Sequence, residues 1–202
     1  MPAVLVPVVR WPRWVENFER GHGATTLDVA DGALTGTAED GSTFTARLPF
    51  GSAYTGTADV ETFARQVGEP DEWGVLLVRK GGFAVGRLHD GAMAQSKVGQ
   101  RHVQGRTKAG GQSQQRFARR RDNQARQAYE AAADHAARIL GDLRGIVVTG
   151  GDHAAIEEVL ADPRLSGLDV AGPWLAVPDP RRAVLEQAVA DARAVQVEVV
   201  NA

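Results

Sequence analysis

The sequence predicts an α+β fold: a mixed, largely antiparallel sheet with packed helices, and one long projecting helix preceded by a loop holding Gly110-Gly111-Gln112. Three observations predict it. In the first half of the chain, short strand-like runs are separated by Asp-Gly and Gly-Gly pairs. Residues 113–140 contain neither Gly nor Pro and place apolar residues at spacings of seven, four and three. Beyond residue 140, strand-like and helix-like segments alternate.

In chain order, residues 11–20 read as a short helix with Trp14, Val15 and Phe18 on one face, and Pro12 is tolerated in its first turn. Strands are expected at 25–30, 33–38 and 42–48, punctuated by Asp31-Gly32 and Asp40-Gly41, because Asp-Gly is a strong hairpin signal. The alternation Thr43-Phe44-Thr45-Ala46-Arg47-Leu48 marks the last as half-buried. Residues 1–56 are thus expected to form an N-terminal helix-plus-meander module packed on a main domain of residues 57–202. Gly51-Ser52 and Gly56 soften the boundary.

Asp59 reads as the N-cap of a helix through Val67, closed by Gly68. The run Val75-Leu76-Leu77-Val78 within 73–79 marks a central strand buried on both faces. Lys80-Gly81-Gly82 turns the chain, 83–88 returns, Asp90-Gly91 turns it again, and 92–103 goes back out. After a loop at 104–112, Ser113 begins a helix to Leu140 with the stripe Ala118, Ala125, Tyr129, Ala132, Ala136 and Leu140. At about 1.5 Å per residue it spans about 42 Å. Its alanine-rich half, from Ala131, is expected to pack on the sheet, and its arginine-rich half to project with the loop at the tip. Gly141 fits a C-cap and 145–149 a buried strand. Asp152 is expected to cap a helix at 153–160, ended by Asp162-Pro163. A strand at 174–177, a helix at 181–194 opened by Pro180, and a closing strand at 195–200 complete the reading.

The composition narrows the function. The 202 residues are 43% hydrophobic and 24% charged, as in ordinary globular proteins. The chain has no cysteine, so a disulfide framework and thiolate metal sites are excluded, and a reducing cytoplasm is the expected compartment. No apolar run approaches the roughly 20 residues of a membrane span. The opening Ala3-Val4-Leu5-Val6 lacks a basic stretch before it, so no signal peptide is expected. Net charge is −2 but unevenly placed. Nine of the 23 Lys and Arg, and only one of the 25 acids (Asp122), fall between Lys97 and Arg126, leaving that segment at +8 and the remainder at −10. A cationic segment on an acidic body points to a polyanion met at one place.

Within that segment, Gly110-Gly111-Gln112 is chemically suggestive. Ester hydrolysis needs a water held in line with a carbonyl and donors for the developing oxyanion. A backbone N–H stabilises an oxyanion without titrating. A primary amide orients water but is too weakly basic to be a strong general base. Two glycines allow positive φ and close approach to a substrate. Flanking Lys and Arg would hold phosphates. Such a device works by positioning, which suits a substrate already activated as an ester.

The flanks carry a resemblance. Gly110-Gly111-Gln112-Ser113, Arg116-Phe117-Ala118-Arg119, Arg121, Tyr129 and the alanines at 133 and 136 resemble the central domain of eukaryotic and archaeal class-I peptide-chain release factors. Gly145-Ile146-Val147-Val148-Thr149-Gly150 looks like that family's buried strand and the glycine after it. The resemblance covers roughly residues 73–160. Those factors also carry a codon-reading domain and a partner-binding domain, for which 202 residues leave no room, so a single-domain relative is expected. The chain is similar to the actinobacterial branch of the release-factor-like peptidyl-tRNA hydrolases, relatives of the ankyrin- and zinc-finger-containing hydrolases of eukaryotic ribosome quality control.

The resemblance implies a hydrolase that releases nascent chains from stalled ribosomal complexes by attack of water on the peptidyl-tRNA ester. Its partners would be peptidyl-tRNA and the peptidyl-transferase centre of the large subunit, with no membrane, no cofactor and no metal, and with a monomer favoured. Gln112 would position the water and contribute its backbone N–H, while Gly110 and Gly111 would let the loop enter a narrow site. Gln114 and Gln115 are alternative bearers of the amide. Arg106, Lys108, Arg116, Arg119, Arg120 and Arg121 would contact RNA phosphates, or Arg119 or Arg120 would pair with acids of the same protein. Two other functions stay open: a tRNA acceptor-end endonuclease, and a non-catalytic ribosome- or RNA-binding module.

The remaining motifs point elsewhere. Gly150-Gly151-Asp152-His153 could bind an anion at a helix N-terminus, but reads better as a structural turn with an Asp cap. The five histidines (His22, His89, His102, His135 and His153) lack metal-ligand spacing. Adjacent Glu157 and Glu158 point apart on a helix and read as a solvated face. Trp11, Trp14, Trp73 and Trp174 are scattered through the expected elements, as core or edge residues.

Overall fold

The computed structural model describes residues 3–100 and 112–202, with side chains in the second stretch described from residue 126. The fold is α+β, as expected from sequence. Its elements run β1 (Val4–Val6), α1 (Trp11–His22), β2 (Thr25–Ala30), β3 (Ala33–Ala38), β4 (Thr43–Arg47), α2 (Val60–Gln66), β5 (Glu72–Arg79), β6 (Gly82–His89) and β7 (Ala92–Gln100). They continue with α3 (Gln112–Leu140), β8 (Gly145–Gly151), α4 (His153–Leu160), β9 (Leu168–Val170), α5 (Arg182–Ala192) and β10 (Val195–Val200).

The chain divides into two compact units, each built on a five-stranded sheet. The first comprises Met1–Glu69, Ala171–Pro173 and Val189–Ala202; the second comprises Pro70–Val170 and Trp174–Ala188. This division runs differently from modules of residues 1–56 and 57–202, because α2 and β10 join the N-terminal meander.

In the first unit the strand order is β1-β10-β4-β3-β2, antiparallel throughout. Asp31-Gly32 and Asp90-Gly91 both turn with positive φ at each central residue, the backbone that two-residue hairpins require. Asp40-Gly41 differs: only the glycine has positive φ, and the Ala38 N–H donates to the Ser42 carbonyl across a longer loop. Helix α1 buries Trp11, Val15 and Phe18. Phe44 meets Trp11, Trp14 and Phe18 edge-on, with ring centroids 5.9, 5.3 and 5.1 Å apart. Each such pair adds about 0.5–1.5 kcal/mol beyond area burial. The Trp11 indole N–H donates to the Val60 carbonyl at 3.2 Å, tying α2 to this core. Asp59 caps α2 as expected, accepting from the Thr62 N–H at 2.7 Å. Gly68 plays no part in the C-cap, which is Val67 in an extended conformation. Strand β1, at three residues too short to show alternation, escapes sequence reading.

In the second unit the order is β7-β6-β5-β8-β9. Strands β5, β6 and β7 form the expected antiparallel meander, while β8 pairs in parallel with β5 and β9. Strand β5 is central, and Trp73 to Val78 are buried without interruption. One sheet face presents Leu76, Val78, Phe83 and Val85 to α3 and α4 residues including Tyr129, Ala132, Ala136, Leu140, Ile156 and Val159. The strand expected at 174–177 is instead a single bridge between Leu175 and Gly150. Pro173 and Pro178 bracket it, and proline offers no N–H to a ladder. Asp152 does not cap α4 with its side chain. Its backbone N–H donates to the Val78 carbonyl at 2.8 Å, which fixes the turn by other means. A Cβ at Gly150 would lie 2.3 Å from the Leu175 carbonyl oxygen, and one at Gly151 (φ 106°) 2.2 Å from that of Val78. Close backbone approach therefore accounts for this glycine pair.

Candidate functional site

Strand β7 and helix α3 are the stem that carries residues 101–111. Among the described residues, strand β7 is an edge strand that pairs only with β6. Near its end, Gly99 lies opposite Phe83, whose ring Cε1 occupies space 2.3 Å from where a Cβ would be. Any larger residue at 99 would displace that ring. Lys97 pairs opposite Val85 and is exposed.

Helix α3 has 29 residues and is rich in Ala, Arg and Gln, all strong helix formers. Its anchor is the segment containing Ala128, Tyr129, Ala132, Ala133, Ala136, Ile139 and Leu140, all buried. The alanines let the helix approach β5 and β6 closely. At the C-terminal end, the Gly141 N–H donates to the Ala137 carbonyl at 3.0 Å. A Cβ on Gly141 would sit 2.3 Å from that oxygen, so the expected glycine ends the helix through close approach and not through positive φ. Arg87 on β6 then clamps the exit, donating to Asp142 at 2.6 Å and to Glu72 at 3.1 Å. From Ala128 to Gln112 there are sixteen helical steps, about 24 Å along the axis at about 1.5 Å each.

His135 stacks on Phe83 with centroids 5.3 Å apart. Burial, followed by the nearby Arg138 and Lys97, holds its imidazole below the ordinary histidine range.

Of the sequence-predicted site residues, Arg106, Lys108, Gly110 and Gly111 lie outside the described residues. Gln112 opens α3, and Arg116, Arg119, Arg120 and Arg121 follow on its backbone, with side chains outside the description. Helical spacing puts positions 116, 119 and 120 within one turn of each other. His102 and the side chains of Ala118 and Ala125 also fall outside the description, whereas Tyr129, Ala132, Ala136 and Leu140 of the expected stripe are buried. Among the described residues, no group of three or more His, Asp or Glu could hold a metal ion. No helix of the described residues is long and apolar enough to cross a membrane.

One feature escaped sequence reasoning. Tyr129, Glu130, Ala133 and Asp134 of α3 and Glu158 of α4, together with Ala161, Asp162 and Arg164, line a groove of about 480 Å³. Arg164 donates to Asp134 at 2.8 Å and to Asp162 at 2.6 Å. Those hydrogen bonds hold the Asp162 carboxyl at a pKa of about 2 and raise that of Arg164. The adjacent pair Glu157-Glu158 does not signal this groove, because the facing acids Glu130 and Asp134 lie on another helix.

A family model, the Actinobacteria/chloroflexi VLRF1 release factor, matches residues 71–198, which is well over half of the chain and includes the whole β5–β9 sheet, α3 and the loop before it. No curated protein matches. By class this is a release-factor-like protein, with the ribosome as its partner at that level of description. The chain belongs to the Actinobacteria/chloroflexi VLRF1 release factor family.

Proposed function

We propose that the protein is a peptidyl-tRNA hydrolase that frees nascent chains from stalled ribosomal complexes. The observation that carries this reading is Gly110-Gly111-Gln112, set between Lys108 and the arginines at 116, 119, 120 and 121 within a release-factor family match. The helical stem supports it, since a rigid rod about 24 Å long between its anchored part and Gln112 suits delivery into a narrow channel. In this mechanism Gln112 orients a water toward the ester carbonyl, and its backbone N–H receives the charge that develops on the carbonyl oxygen. Water adds to the carbonyl and the ester C–O bond breaks; one water proton leaves on the tRNA ribose oxygen, the other passes to solvent, and the peptide departs as a carboxylate. Gly110 and Gly111 allow close approach. Arg106, Lys108, Arg116, Arg119, Arg120 and Arg121 hold RNA phosphates and set the register. The work is positioning and charge stabilisation, so no cofactor is needed.

The test uses purified stalled large-subunit complexes carrying peptidyl-tRNA, with the peptide and the RNA 3′ end resolved together. Wild type should release peptide and leave a full-length RNA 3′ end. Gln112→Ala and Gly111→Ala should each slow release by about a hundredfold or more, as for loss of an oxyanion or water-positioning group. Undiminished release in both variants removes the proposal. A shortened RNA end would instead assign acceptor-end cleavage.

A further inference from the structure

We infer that α3 meets RNA along one flank only: the RNA backbone lies on the side of β7, against Lys97, Arg138 and the open edge of that strand, and not on the side of α4. This rests on the reading of the partner as ribosomal or transfer RNA. It adds to that reading a face of the stem and two contacts where α3 is anchored on the sheet.

Sequence and pairing agree on that flank. From Ala92 to Arg121 the chain has eight Lys and Arg and no acid. Strand β7 is the first part of that run and leads directly into residues 101–111. Lys97 lies opposite Val85, on the sheet face that presents Phe83 and Val85 to α3. Phe83 stacks on His135, and the ring of His135 feels both Arg138 and Lys97. Strand and helix thus bring two exposed cations to one aromatic stack. Among the described residues neither cation forms an ion pair, so both are open to phosphate oxygens. Position 120, eighteen residues before Arg138 and so about five turns away, falls on the same line of the helix. That line joins the contact at the sheet to the arginine positions nearer Gln112. Phosphates also accept from backbone N–H groups. Among the described residues β7 pairs only with β6, which leaves its outer row of N–H groups for them.

The opposite flank repels RNA. The groove against α4 is lined by Glu130, Asp134, Glu158 and Asp162. Its one cation, Arg164, is already bound to Asp134 and Asp162. Phosphates approaching there meet like charge. The anchored part of α3 therefore separates a cationic side from an acidic one, and that asymmetry fixes how the stem is rolled about its axis against its partner.

The chain has no cysteine, so single introduced cysteines can carry an iron chelate that cuts nearby RNA through hydroxyl radicals. Gln95→Cys on β7, Ala131→Cys on α3 and Ala154→Cys on α4 all use exposed positions. With the full chain bound to purified stalled large subunits, the first two should cut RNA and the third far less. In a second arm, Lys97→Gln combined with Arg138→Gln should weaken binding about tenfold and lower the slope of log affinity against log salt by about 1.4–1.8, for two phosphates. Glu130→Gln combined with Glu158→Gln should not weaken it, and both pairs should melt as wild type does. The assignment is overturned if Ala154→Cys cuts RNA as strongly as the other two, or if the Lys97 and Arg138 pair leaves the slope unchanged. It is also overturned if the chelate on β7 cleaves ribosomal protein and no RNA. Neither arm reads peptide release. A chain that binds by this flank yet releases no peptide ends the hydrolase reading alone, and release without a flank preference ends this one alone.

Discussion

Leu140 fills the place where a side chain at Gly74 would stand: a Cβ built on Gly74 lies 2.8 Å from Leu140 Cδ2. The last residue of the long helix thus rests directly on the central strand of its sheet. The absence of a side chain at one position sets how closely the stem sits.

Gly74→Val should therefore force Leu140 outward and loosen the whole stem. The expected cost is about 1–3 kcal/mol, as for overpacking of a tight core. Urea unfolding measures it. A midpoint equal to that of wild type would show that α3 accommodates the branch by sliding.

His135 makes stability depend on pH in the neutral range. Its folded pKa is depressed below 6.5, so the unfolded chain binds the proton more readily. Stability contributed by the neutral ring is present above about pH 6.5 and falls as the solution becomes more acidic than that. His135→Phe keeps the stacking on Phe83 but cannot titrate. Its melting temperature should vary less between about pH 7 and pH 5 than that of wild type, which differential scanning calorimetry reads directly.

Asp162 works at the other end of the scale. Its folded pKa of about 2 lies below the ordinary 3.8, so its contribution is present above about pH 4 and disappears as pH falls through 2. Asp162→Asn keeps an acceptor for the Arg164 N–H but loses the charge. The melting-temperature gap between this variant and wild type should be largest near pH 5–6 and close by about pH 2.

If the arginines of α3 hold RNA phosphates, their removal changes the salt dependence of binding and not only its strength. Arg119→Gln with Arg120→Gln should reduce the slope of log affinity against log salt by about 0.7 for each single-stranded phosphate that the pair neutralises. Filter binding to stalled large subunits across a salt series tests this. An unchanged slope would mean that these two side chains pair within the protein.

Much of the fold was legible because its signals are local. Strands β2 and β3 are joined by Asp31-Gly32, and Asp40-Gly41 follows β3, so their bounds follow from those turns. The run from Val75 to Val78 announces a strand covered on two faces, and β5 is the middle strand of its sheet. What escaped depends on partners distant in sequence. Val4–Val6 is a strand only because Val195–Val197 lies beside it. Leu175 resembles a strand residue, but its flanking prolines reduce it to one bridge while Leu168–Val170 takes the sheet edge. The reading of Gly110-Gly111-Gln112 rests on its sequence flanks, Arg116-Phe117-Ala118-Arg119 and Tyr129 among them, and Gly110 and Gly111 lie outside the described residues. The α3–α4 groove was not legible, because Tyr129 and Glu158 become neighbours only through the packing of two helices.

Strand β10 lies between β1 and β4, so Val4–Val6 is joined to its sheet through Val195–Val200, far downstream. During synthesis from the N-terminus, Val4–Val6 has no ladder to join, and β4 keeps a free edge until Val200 has been made. The meander of β5, β6 and β7 needs nothing from so far downstream for its own pairing. A nascent copy therefore carries that sheet unfinished, its edge open to strays, until Val195–Val200 has been made.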